Sequence, residues 1–285
     1  MPPLQPPAPF VIERLVRLAL EEDAGRGDVT TAACVPPSLI GAATLRARAA
    51  LVLCGVPLVR EVYRQVDPRV QVRAIAEDGA RLDAGDDAVA LSGPAAALLL
   101  GERVALNFAQ RLSGIATTTR RFVDALPEGS RTRIADTRKT TPLLRALERY
   151  AVRAGGAHNH REDLSSAVLI KDNHVAAAGG IEQAIARARA YAPHTSRIEC
   201  EVDTEAQLAV ALGAGADVIL LDNFDDAAVR RAVATTAGRA ILEASGNVTL
   251  ERVRSLAEAG VDVISVGALT HSAPAADLGL DWEPA

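Results

Sequence analysis

The sequence is poor in aromatic residues, cysteine and lysine. Phenylalanine, tryptophan and tyrosine make up 3% of the 285 residues, so stacking platforms for single-stranded nucleic acid are not expected. The net charge of −5 also argues against a general nucleic-acid binder. Cys34, Cys54 and Cys200 form no CxxC pair, and we predict reduced, mostly buried thiols.

Long apolar segments are also lacking. The longest apolar run, Ala49 to Val56, is far too short to span a bilayer. The proline-rich start, Met1 to Pro9, has neither the charged nor the apolar region of a signal peptide. We therefore expect a cytoplasmic protein with no membrane partner. No GxGxxG or GxxxxGK[ST] motif is present, which argues against a Rossmann dinucleotide site and a P-loop.

The scarcity of lysine singles out two positions. Of the 31 basic residues, Lys139 and Lys171 are the two that are not arginine. A compact ammonium differs from a planar guanidinium in reach, hydration and pKa. These lysines are therefore candidate functional residues, the alternative being that two surface lysines survived by chance.

The pattern of helices and strands changes along the chain. Residues 1–115 mix helices with β-like runs, which predicts a small α+β domain to which residues 272–285 can return. A long helical stretch from Pro94 to Leu126 is expected to break at Gly101 and Gly114. In residues 116–271, strands and helices alternate about every 20 residues, which predicts a parallel barrel or open sheet.

The predicted strands of this second part are Thr132–Ala135, Ala167–Ile170, Arg197–Val202, Val218–Leu221, Ala240–Glu243 and Val261–Val266. The predicted helices are Ile181–Tyr191, Thr204–Leu212, Asp226–Thr235 and Leu250–Ala259, with Thr204, Asp225 and Thr249 as N-cap residues. Polar clusters follow the strands at their carboxyl ends, where the active site of a barrel is built.

Two of these clusters are basic. Asp136 to Pro142 holds adjacent cations, Arg138 and Lys139, and three threonines, with Pro142 expected to start a helix. This arrangement suits an anion, although a solvated turn would read the same way. Gly155 to Arg161 combines glycines with His160 and an arginine able to fork onto a carboxylate; a flexible loop is the alternative.

Further candidates come from the middle strands. Lys171 leaves an apolar strand and suits either an anion clamp or a Schiff base, unless it merely snorkels at a barrel rim. Glu199 and Glu201 alternate with Cys200, so the two carboxylates share a face. Together with Asp222 they could stabilise positive charge at a sugar C1 or hold Mg²⁺; helix capping is the alternative, chiefly for Asp222.

The last two strands end in small residues, Ser245-Gly246-Asn247 and Ser265 to His271. Such residues before a helix describe a common phosphate site of barrels. Between Arg131 and Lys171 the chain carries nine Lys/Arg and four Asp/Glu. A locally basic site in an acidic protein suits a small polyanion.

Taken together, these clusters resemble the quinolinate phosphoribosyltransferase family. The matching stretches occur in order over about 170 residues and share the polar strand-end clusters described above. They are Glu102-Arg103 through Asn107, Leu112 to Thr117, Asp136 to Thr140, Asn159-His160-Arg161, Leu169 to His174, Glu201-Val202-Asp203, Leu221 to Phe224, Ser245-Gly246 and Val266 to Ser272.

The resemblance implies a reaction and a fold. Quinolinate would react at its ring nitrogen with C1 of phosphoribosyl pyrophosphate to give nicotinate mononucleotide, pyrophosphate and CO₂, assisted by Mg²⁺. The implied fold is an incomplete α/β barrel with a smaller N-terminal α+β sandwich-like domain. A homodimer is also implied, in which Arg103 enters the neighbouring subunit's site.

Roles for individual residues follow from the same resemblance. Arg103, Arg138, His160, Arg161 and Lys171 would bind the quinolinate carboxylates. Lys139, Glu201 and Asp222 would be catalytic and handle the ribose and pyrophosphate, with Mg²⁺ held mainly through the pyrophosphate and Glu201 and Asp222 as candidate ligands. The remaining candidate substrate contacts, chiefly to phosphate, are Thr137, Ser245, Gly246, Asn247, Ser265, Val266, Gly267 and His271.

Two departures from the family pattern concern the segment from Gly155 to Arg161 and the two residues that follow it. Ala157 and His158 stand where the family commonly has glycines, and Glu162-Asp163 replace small or apolar residues. They affect the expected substrate preference more than the reaction class. Three alternatives stay open: a related phosphoribosyltransferase such as those of molybdate transport operons, a Schiff-base lyase using Lys171, and a sensor that binds without turnover.

Overall fold

The computed structural model describes residues 4–283, so Met1 to Pro3 of the proline-rich start lie outside it. The helices are α1 (Pro9–Ala24), α2 (Val29–Cys34), α3 (Val56–Val66), α4 (Ala95–Asp124), α5 (Arg145–Ala154), α6 (Asp172–Ala178), α7 (Ile181–Tyr191), α8 (Glu205–Gly213), α9 (Asp226–Thr236), α10 (Leu250–Ala259) and α11 (Ala268–His271). The strands are β1 (Ile40–Ala47), β2 (Leu51–Val52), β3 (Gln71–Ala74), β4 (Arg81–Leu82), β5 (Asp87–Pro94), β6 (Arg133–Ala135), β7 (Val168–Ile170), β8 (Ile198–Val202), β9 (Val218–Asp222), β10 (Ile241–Ser245), β11 (Val263–Ser265) and β12 (Leu278–Glu283). Within residues 4–283, no helix is long and apolar enough to cross a membrane.

These elements form two compact units. Of the described residues, the first unit holds 4–120, 141–156 and 272–283, and the second holds 121–140 and 157–271. The first unit contains an antiparallel sheet in the order β12-β1-β5-β3 and a separate pair, β2 and β4. In the larger sheet, Leu45 of β1 lies between Leu280 of β12 and Val89 of β5. The last strand, β12, therefore pairs with the first strand, β1, and forms one edge of this sheet.

Helix α4 runs unbroken through both glycines at which breaks were predicted, so that prediction is wrong. A Cβ atom at Gly101 would lie 2.7 Å from the Tyr63 ring, and one at Gly114 would lie 1.9 Å from the carbonyl oxygen of Pro274. The glycines thus allow close packing against the helix. That contact offsets the loss of about 1 kcal/mol that glycine costs inside a helix.

The second unit is a parallel sheet in the order β6-β11-β10-β9-β8-β7, with helices following the strands. All six strands and all four helices predicted for this part occur, with small shifts at their ends. Among the described residues, the end strands β6 and β7 do not pair with each other. Six strands in place of the eight of a complete barrel give the predicted incomplete α/β barrel.

Helix starts agree with two of the three predicted caps. The side chains of Thr204 and Asp225 accept the backbone N–H of Gln207 and Ala228, respectively. Thr249 occupies the N-cap position of α10, but its side chain makes no capping hydrogen bond.

The segment 141–156 differs most from expectation. Pro142 does not start a helix, because Leu143 has a φ of 68° and α5 begins at Arg145. The segment also belongs to the first unit, although residues 116–271 were predicted to form the barrel. Tyr150 of α5 donates from its hydroxyl to Asp78 at 2.7 Å, which ties the helix to that unit. The predicted boundary between residues 115 and 116 stays a prediction.

Candidate active site

A cavity of about 390 Å³ opens at the carboxyl ends of the parallel strands, where barrel active sites form. Its lining contains ten residues predicted from the sequence: Thr137, Arg138, Lys139, His160, Arg161, Lys171, Glu201, Asp222, Ser245 and Ser265. Leu169, Leu220 and Glu243 complete the lining. The second unit thus brings together in one cavity the cations after β6 (Arg138 and Lys139), the loop that carries Arg161, and the carboxylates of Glu201 and Asp222.

The other predicted residues lie outside this lining. Gly246 and Asn247 line a neighbouring open cavity of about 470 Å³. Val266 is 2% exposed, and a Cβ atom on Gly267 would lie 3.1 Å from both His271 Nε2 and Lys139 Cδ. Arg103 is exposed on α4 of the first unit.

The turn that carries Lys139 is held from two sides. Thr270 donates from its hydroxyl to the carbonyl oxygen of Lys139 at 2.8 Å, and the N–H of Lys139 donates to Oγ1 of Thr137 at 3.1 Å. With Gly267 and His271 close by, Lys139 lies at a corner made of small residues and a cation. This corner suits a phosphate group.

Arg138 and Arg161 place two guanidinium groups near one another. Burial lowers the pKa of Arg161, and the neighbouring charge of Arg138 lowers it further. Arg161 donates from Nη1 to the carbonyl oxygen of Ala167 at 3.1 Å, which fixes the end of its side chain. A carboxylate between the guanidiniums would relieve their repulsion and accept their remaining N–H groups.

The segment carrying Arg161 is anchored by Asp136, which is completely buried. One carboxylate oxygen of Asp136 accepts the backbone N–H of His160 at 2.7 Å, and the other accepts the side-chain amide of Asn159 at 2.6 Å. Asp136 opens the basic cluster of the sequence analysis, but its carboxylate is committed to this loop. Its part in the site is therefore to position the loop.

Lys171 and Glu201 form an ion pair at the cavity wall, in which Nζ of Lys171 donates to Oε2 of Glu201. The lysine side chain is 44% exposed and the glutamate side chain 12% exposed. Glu201 lines the cavity and Glu199 faces His160 of the same lining, whereas Cys200 between them is fully buried. The predicted alternation is confirmed.

Two further carboxylates, those of Glu199 and Glu243, surround His160 at the cavity floor. Nε2 of His160 is 3.3 Å from Oε2 of Glu199 and 3.4 Å from Oε1 of Glu243. Its Nδ1 accepts the backbone N–H of Arg161 at 2.7 Å. Both ring nitrogens therefore have protein partners, and Nε2 directs its hydrogen at the carboxylates.

Two opposed effects act on the protonation of this cluster. Burial disfavours a charged imidazole, whereas the carboxylates of Glu199 and Glu243 favour it and raise the pKa of His160. The N–H of Arg161 acts the other way, because an imidazolium has no lone pair on Nδ1 to accept it. Burial also raises the pKa of Glu199. The 2.7 Å contact from the N–H of Arg161 to Nδ1 corresponds to the neutral ring, with its hydrogen on Nε2.

The same cluster is the one group of three potential metal ligands found among residues 4–283, with its ligand atoms within 4.8 Å of one another. A metal on Nε2 of His160 would need that nitrogen to lose its hydrogen while Nδ1 already accepts one. The geometry therefore favours a hydrogen-bonded cluster over a metal centre. Glu201 and Asp222, also at the cavity, offer the carboxylate oxygens that Mg²⁺ prefers.

Asp222 is held by the loop that follows it. The amide of Asn223 donates to Oδ2 of Asp222 at 2.8 Å, and the amide of Asn247 donates to Oδ1 of Asn223 at 3.2 Å. Gly246 has a φ of 86°, and a Cβ atom there would lie 2.2 Å from Oδ1 of Asn223. Glycine is thus required where the two loops meet.

Sequence reasoning gave no site role to Glu243 or Asn223, and it considered Glu199 only as a carboxylate for the sugar C1 or for Mg²⁺, not as a partner of His160. A signal for Glu243 was present, since it is the one acid of the strand Ile241–Ser245. What the sequence does not contain is the pairing of β8 and β10 with β9, which places the carboxylates of Glu199 and Glu243 on either side of that strand.

Two family models together match most of the chain. The description "Quinolinate phosphoribosyl transferase, N-terminal domain" fits residues 28–113, and "Quinolinate phosphoribosyl transferase, C-terminal domain" fits residues 115–281. Both parts of the chain therefore match the corresponding domains of one family.

Individual proteins match over nearly their whole length. A probable carboxylating nicotinate-nucleotide pyrophosphorylase of Bacillus subtilis is 44% identical, covering 95% of this chain and 93% of its own. The carboxylating nicotinate-nucleotide pyrophosphorylase of Mycobacterium leprae is 43% identical, covering 93% and 95%. The structure of the nicotinate-nucleotide pyrophosphorylase of Francisella tularensis superposes with a TM-score of 0.92 at 37% identity, covering 96% of both chains.

Proposed function

The chain belongs to the quinolinate phosphoribosyl transferase family, and on that premise we propose that it makes nicotinate mononucleotide from quinolinate and phosphoribosyl pyrophosphate, a step of de novo NAD biosynthesis. The ring nitrogen of quinolinate attacks C1 of the ribose while the bond from C1 to pyrophosphate breaks. The bond from C2 of the ring to its carboxylate then breaks, CO₂ leaves, and the electron pair left on C2 takes a proton from solvent.

The observation that carries the proposal is a single cavity with four cations, Arg138, Lys139, Arg161 and Lys171, facing the carboxylates of Glu201 and Asp222. Quinolinate brings two carboxylates and phosphoribosyl pyrophosphate brings phosphates, so both substrates need clustered cations. Positive charge that develops at C1 as pyrophosphate leaves needs nearby carboxylates. The cavity supplies both kinds of group.

Residue roles follow the resemblance and remain part of the proposal. Arg138, Arg161 and Lys171 clamp the quinolinate carboxylates, and His160 supports the clamp. Lys139 neutralises pyrophosphate as it leaves, whereas Glu201 and Asp222 offset charge at the ribose. The phosphate contacts come from the strand-end residues Thr137, Ser245, Gly246, Asn247, Ser265, Val266, Gly267 and His271.

Magnesium belongs to the proposal as well. Asp222 and Glu201 fit a hard cation because they are carboxylates at the ends of adjacent strands. Asp222 is the better placed of the two, since one oxygen of Glu201 already accepts from Lys171. When bound through the pyrophosphate, Mg²⁺ would neutralise charge on the leaving group.

The homodimer, the entry of Arg103 into the partner's site and the cytoplasmic location also belong to the proposal. The exposure of the Arg103 side chain on α4 is compatible with such a contact. An Arg103→Ala variant mixed with an inactive Lys139→Ala variant tests it. If each subunit lends Arg103 to its neighbour, the mixture regains activity that neither variant has alone.

The test of the proposed function is turnover. Purified protein is mixed with phosphoribosyl pyrophosphate, Mg²⁺ and either quinolinate or nicotinate, and nicotinate mononucleotide is quantified. Product from quinolinate alone supports the proposal, and product from nicotinate alone keeps the transferase class but replaces the substrate. Absence of product in both tubes, with folded protein, would favour the related transferases or the sensor.

A further inference from the structure

The buried floor beneath the arginine clamp holds more acid than the proposed reaction uses. Glu199 is 7% exposed and Glu243 is 3% exposed, and the proposed reaction gives neither of them a role. Their neighbours in register are Leu169 and Val218 for Glu199, and Leu220 and Val263 for Glu243. Two carboxylates in apolar surroundings are costly to keep. This cost calls for a reason.

Burial of the carboxylates also runs against simple electrostatics. A cavity that binds two polyanions is weakened, not strengthened, by negative charge at its floor. Oε1 of Glu199 makes no hydrogen bond, and Oε1 of Glu243 faces Nε2 of His160 at 3.4 Å without forming one, although both oxygens are buried. The one cation-forming group within reach of both carboxylates is His160 among the described residues.

The contacts of His160 connect these carboxylates to the clamp. Nε2 faces Glu199 and Glu243, and Nδ1 accepts the N–H of Arg161. The carboxylates thereby select the ring orientation and leave Nδ1 as an acceptor. Nδ1 thereby fixes the main chain of Arg161, whose side chain lines the cavity.

We propose that Glu199 and Glu243 are positioning residues for quinolinate binding: they hold the His160 ring, and the ring holds the backbone of Arg161 so that its guanidinium meets a substrate carboxylate. The inference rests on the proposed function for the identity of the substrate. It adds two residues whose effect on quinolinate binding passes through His160.

The first test separates positioning from charge. Glu199→Gln and Glu243→Gln remove the charge but keep an oxygen atom facing Nε2, whereas the two leucine variants remove that oxygen. For the double leucine variant we expect the quinolinate KM to rise at least about tenfold and the phosphoribosyl pyrophosphate KM to change less than about twofold. The glutamine variants should stay within about threefold of wild type. If the floor acted only through charge, both types of variant would lower the quinolinate KM, and the inference would be wrong.

The second test asks whether the carboxylates act through His160. In a His160→Asn background, a further Glu243→Leu change should raise the quinolinate KM by less than about twofold. The ring through which Glu243 acts on the backbone of Arg161 is already absent there. Additive effects would overturn the inference. Circular dichroism and thermal unfolding confirm that each variant is folded.

The third test needs no substrate and keeps the inference distinct from the proposed function. Long-range proton–nitrogen NMR of the ligand-free protein should show a bare Nδ1 and a protonated Nε2 on His160. This pattern should persist in the glutamine variants and change in the double leucine variant. A doubly protonated His160 ring in the wild type would contradict the inference, even if the protein converts quinolinate. If calorimetry shows that the wild-type protein binds no quinolinate, the proposed function is wrong. The role of Glu199 and Glu243 in quinolinate binding is then wrong as well.

Discussion

Oε1 of Glu148, a residue with no exposed surface, lies 2.8 Å from Nη2 of Arg111. Glu148 also accepts the backbone N–H of Thr141 at 3.0 Å and its hydroxyl at 2.7 Å, while Arg111 donates to the carbonyl oxygen of Ala273 at 2.9 Å. One buried ion pair therefore ties together α4, α5 and two loops of the first unit.

Breaking this pair should strongly destabilise the protein. Arg111→Met leaves the buried Glu148 carboxylate without its cation, which typically costs about 3–5 kcal/mol. We expect a fall of that size in the free energy of unfolding by urea. The matched control is Arg254→Met, which breaks an exposed pair with Glu258 and should cost less than about 1 kcal/mol. Equal stability of the two variants would contradict the structural role of Arg111.

The arginine clamp should control quinolinate affinity. Arg161→Lys keeps the charge but loses the fork, and Arg161→Gln loses both. We expect the quinolinate KM to rise about tenfold or more for lysine and further for glutamine, because one charge-assisted hydrogen bond is worth about 1.5–3 kcal/mol. The KM for phosphoribosyl pyrophosphate should stay near wild type. Steady-state kinetics with Arg254→Gln as control checks this, and an equal rise in both KM values would argue against a quinolinate clamp.

Lys171 should act as a cation and not as a nucleophile. Its Nζ is engaged in an ion pair with the carboxylate of Glu201, and a Schiff base would require the amine to leave that pair as a nucleophile. Borohydride reduction in the presence of quinolinate should leave Lys171 unmodified by mass spectrometry, while Lys171→Met loses about a hundredfold or more in kcat/KM. A borohydride-trapped adduct on Lys171 would restore the lyase alternative.

The thiols should differ in reactivity. Cys34 is exposed, whereas Cys54 and Cys200 are buried. Burial raises the pKa of Cys54, and burial together with Glu201 and Glu199 raises the pKa of Cys200 to about 11. At about pH 8, near the ordinary thiol pKa, Ellman's reagent should modify Cys34 alone in the native protein and all three cysteines after unfolding. Rapid modification of Cys200 in the native state would show that β8 opens.

The second unit could be predicted well because its signals are local. An apolar run such as Val218 to Leu221, followed by a polar residue and then by Asp225 as a cap, marks strand, loop and helix without tertiary information. The carboxyl-end rule then places Arg138, Lys171 and Asp222 in one cavity. The basic and acidic clusters could therefore be assigned to one site before any geometry was known.

What the sequence did not reveal depends on contacts between distant residues. Gly101 and Gly114 read as helix breaks because glycine weakens a helix, and only the positions of Tyr63 and Pro274 show why glycine is needed. Likewise, Glu243 reads as a strand-end polar residue. Its role emerges from the ring of His160, which reaches it across the cavity floor from 83 residues earlier in the chain.

Gly246 offers the sharpest test of the phosphate side of the cavity. An alanine there would combine a φ of 86° with a Cβ 2.2 Å from Oδ1 of Asn223, the residue whose amide donates to Asp222. Gly238 provides a control, since its φ is 75° and no atom lies within 4 Å of the added Cβ. Gly238→Ala carries only the backbone strain, about 1–2 kcal/mol. Gly246→Ala carries that strain and also displaces Asn223.

We therefore expect Gly246→Ala to lose more stability than Gly238→Ala and to differ from it in kinetics. Gly246→Ala should raise the KM for phosphoribosyl pyrophosphate at least about tenfold and leave the quinolinate KM within about twofold of wild type. Gly238→Ala should leave both KM values unchanged. If Gly246→Ala raised the quinolinate KM instead, the phosphate side and the pyridine side of the cavity would have to be exchanged. If it changed neither KM, the loop joining Asp222 to Asn247 would have no part in substrate binding.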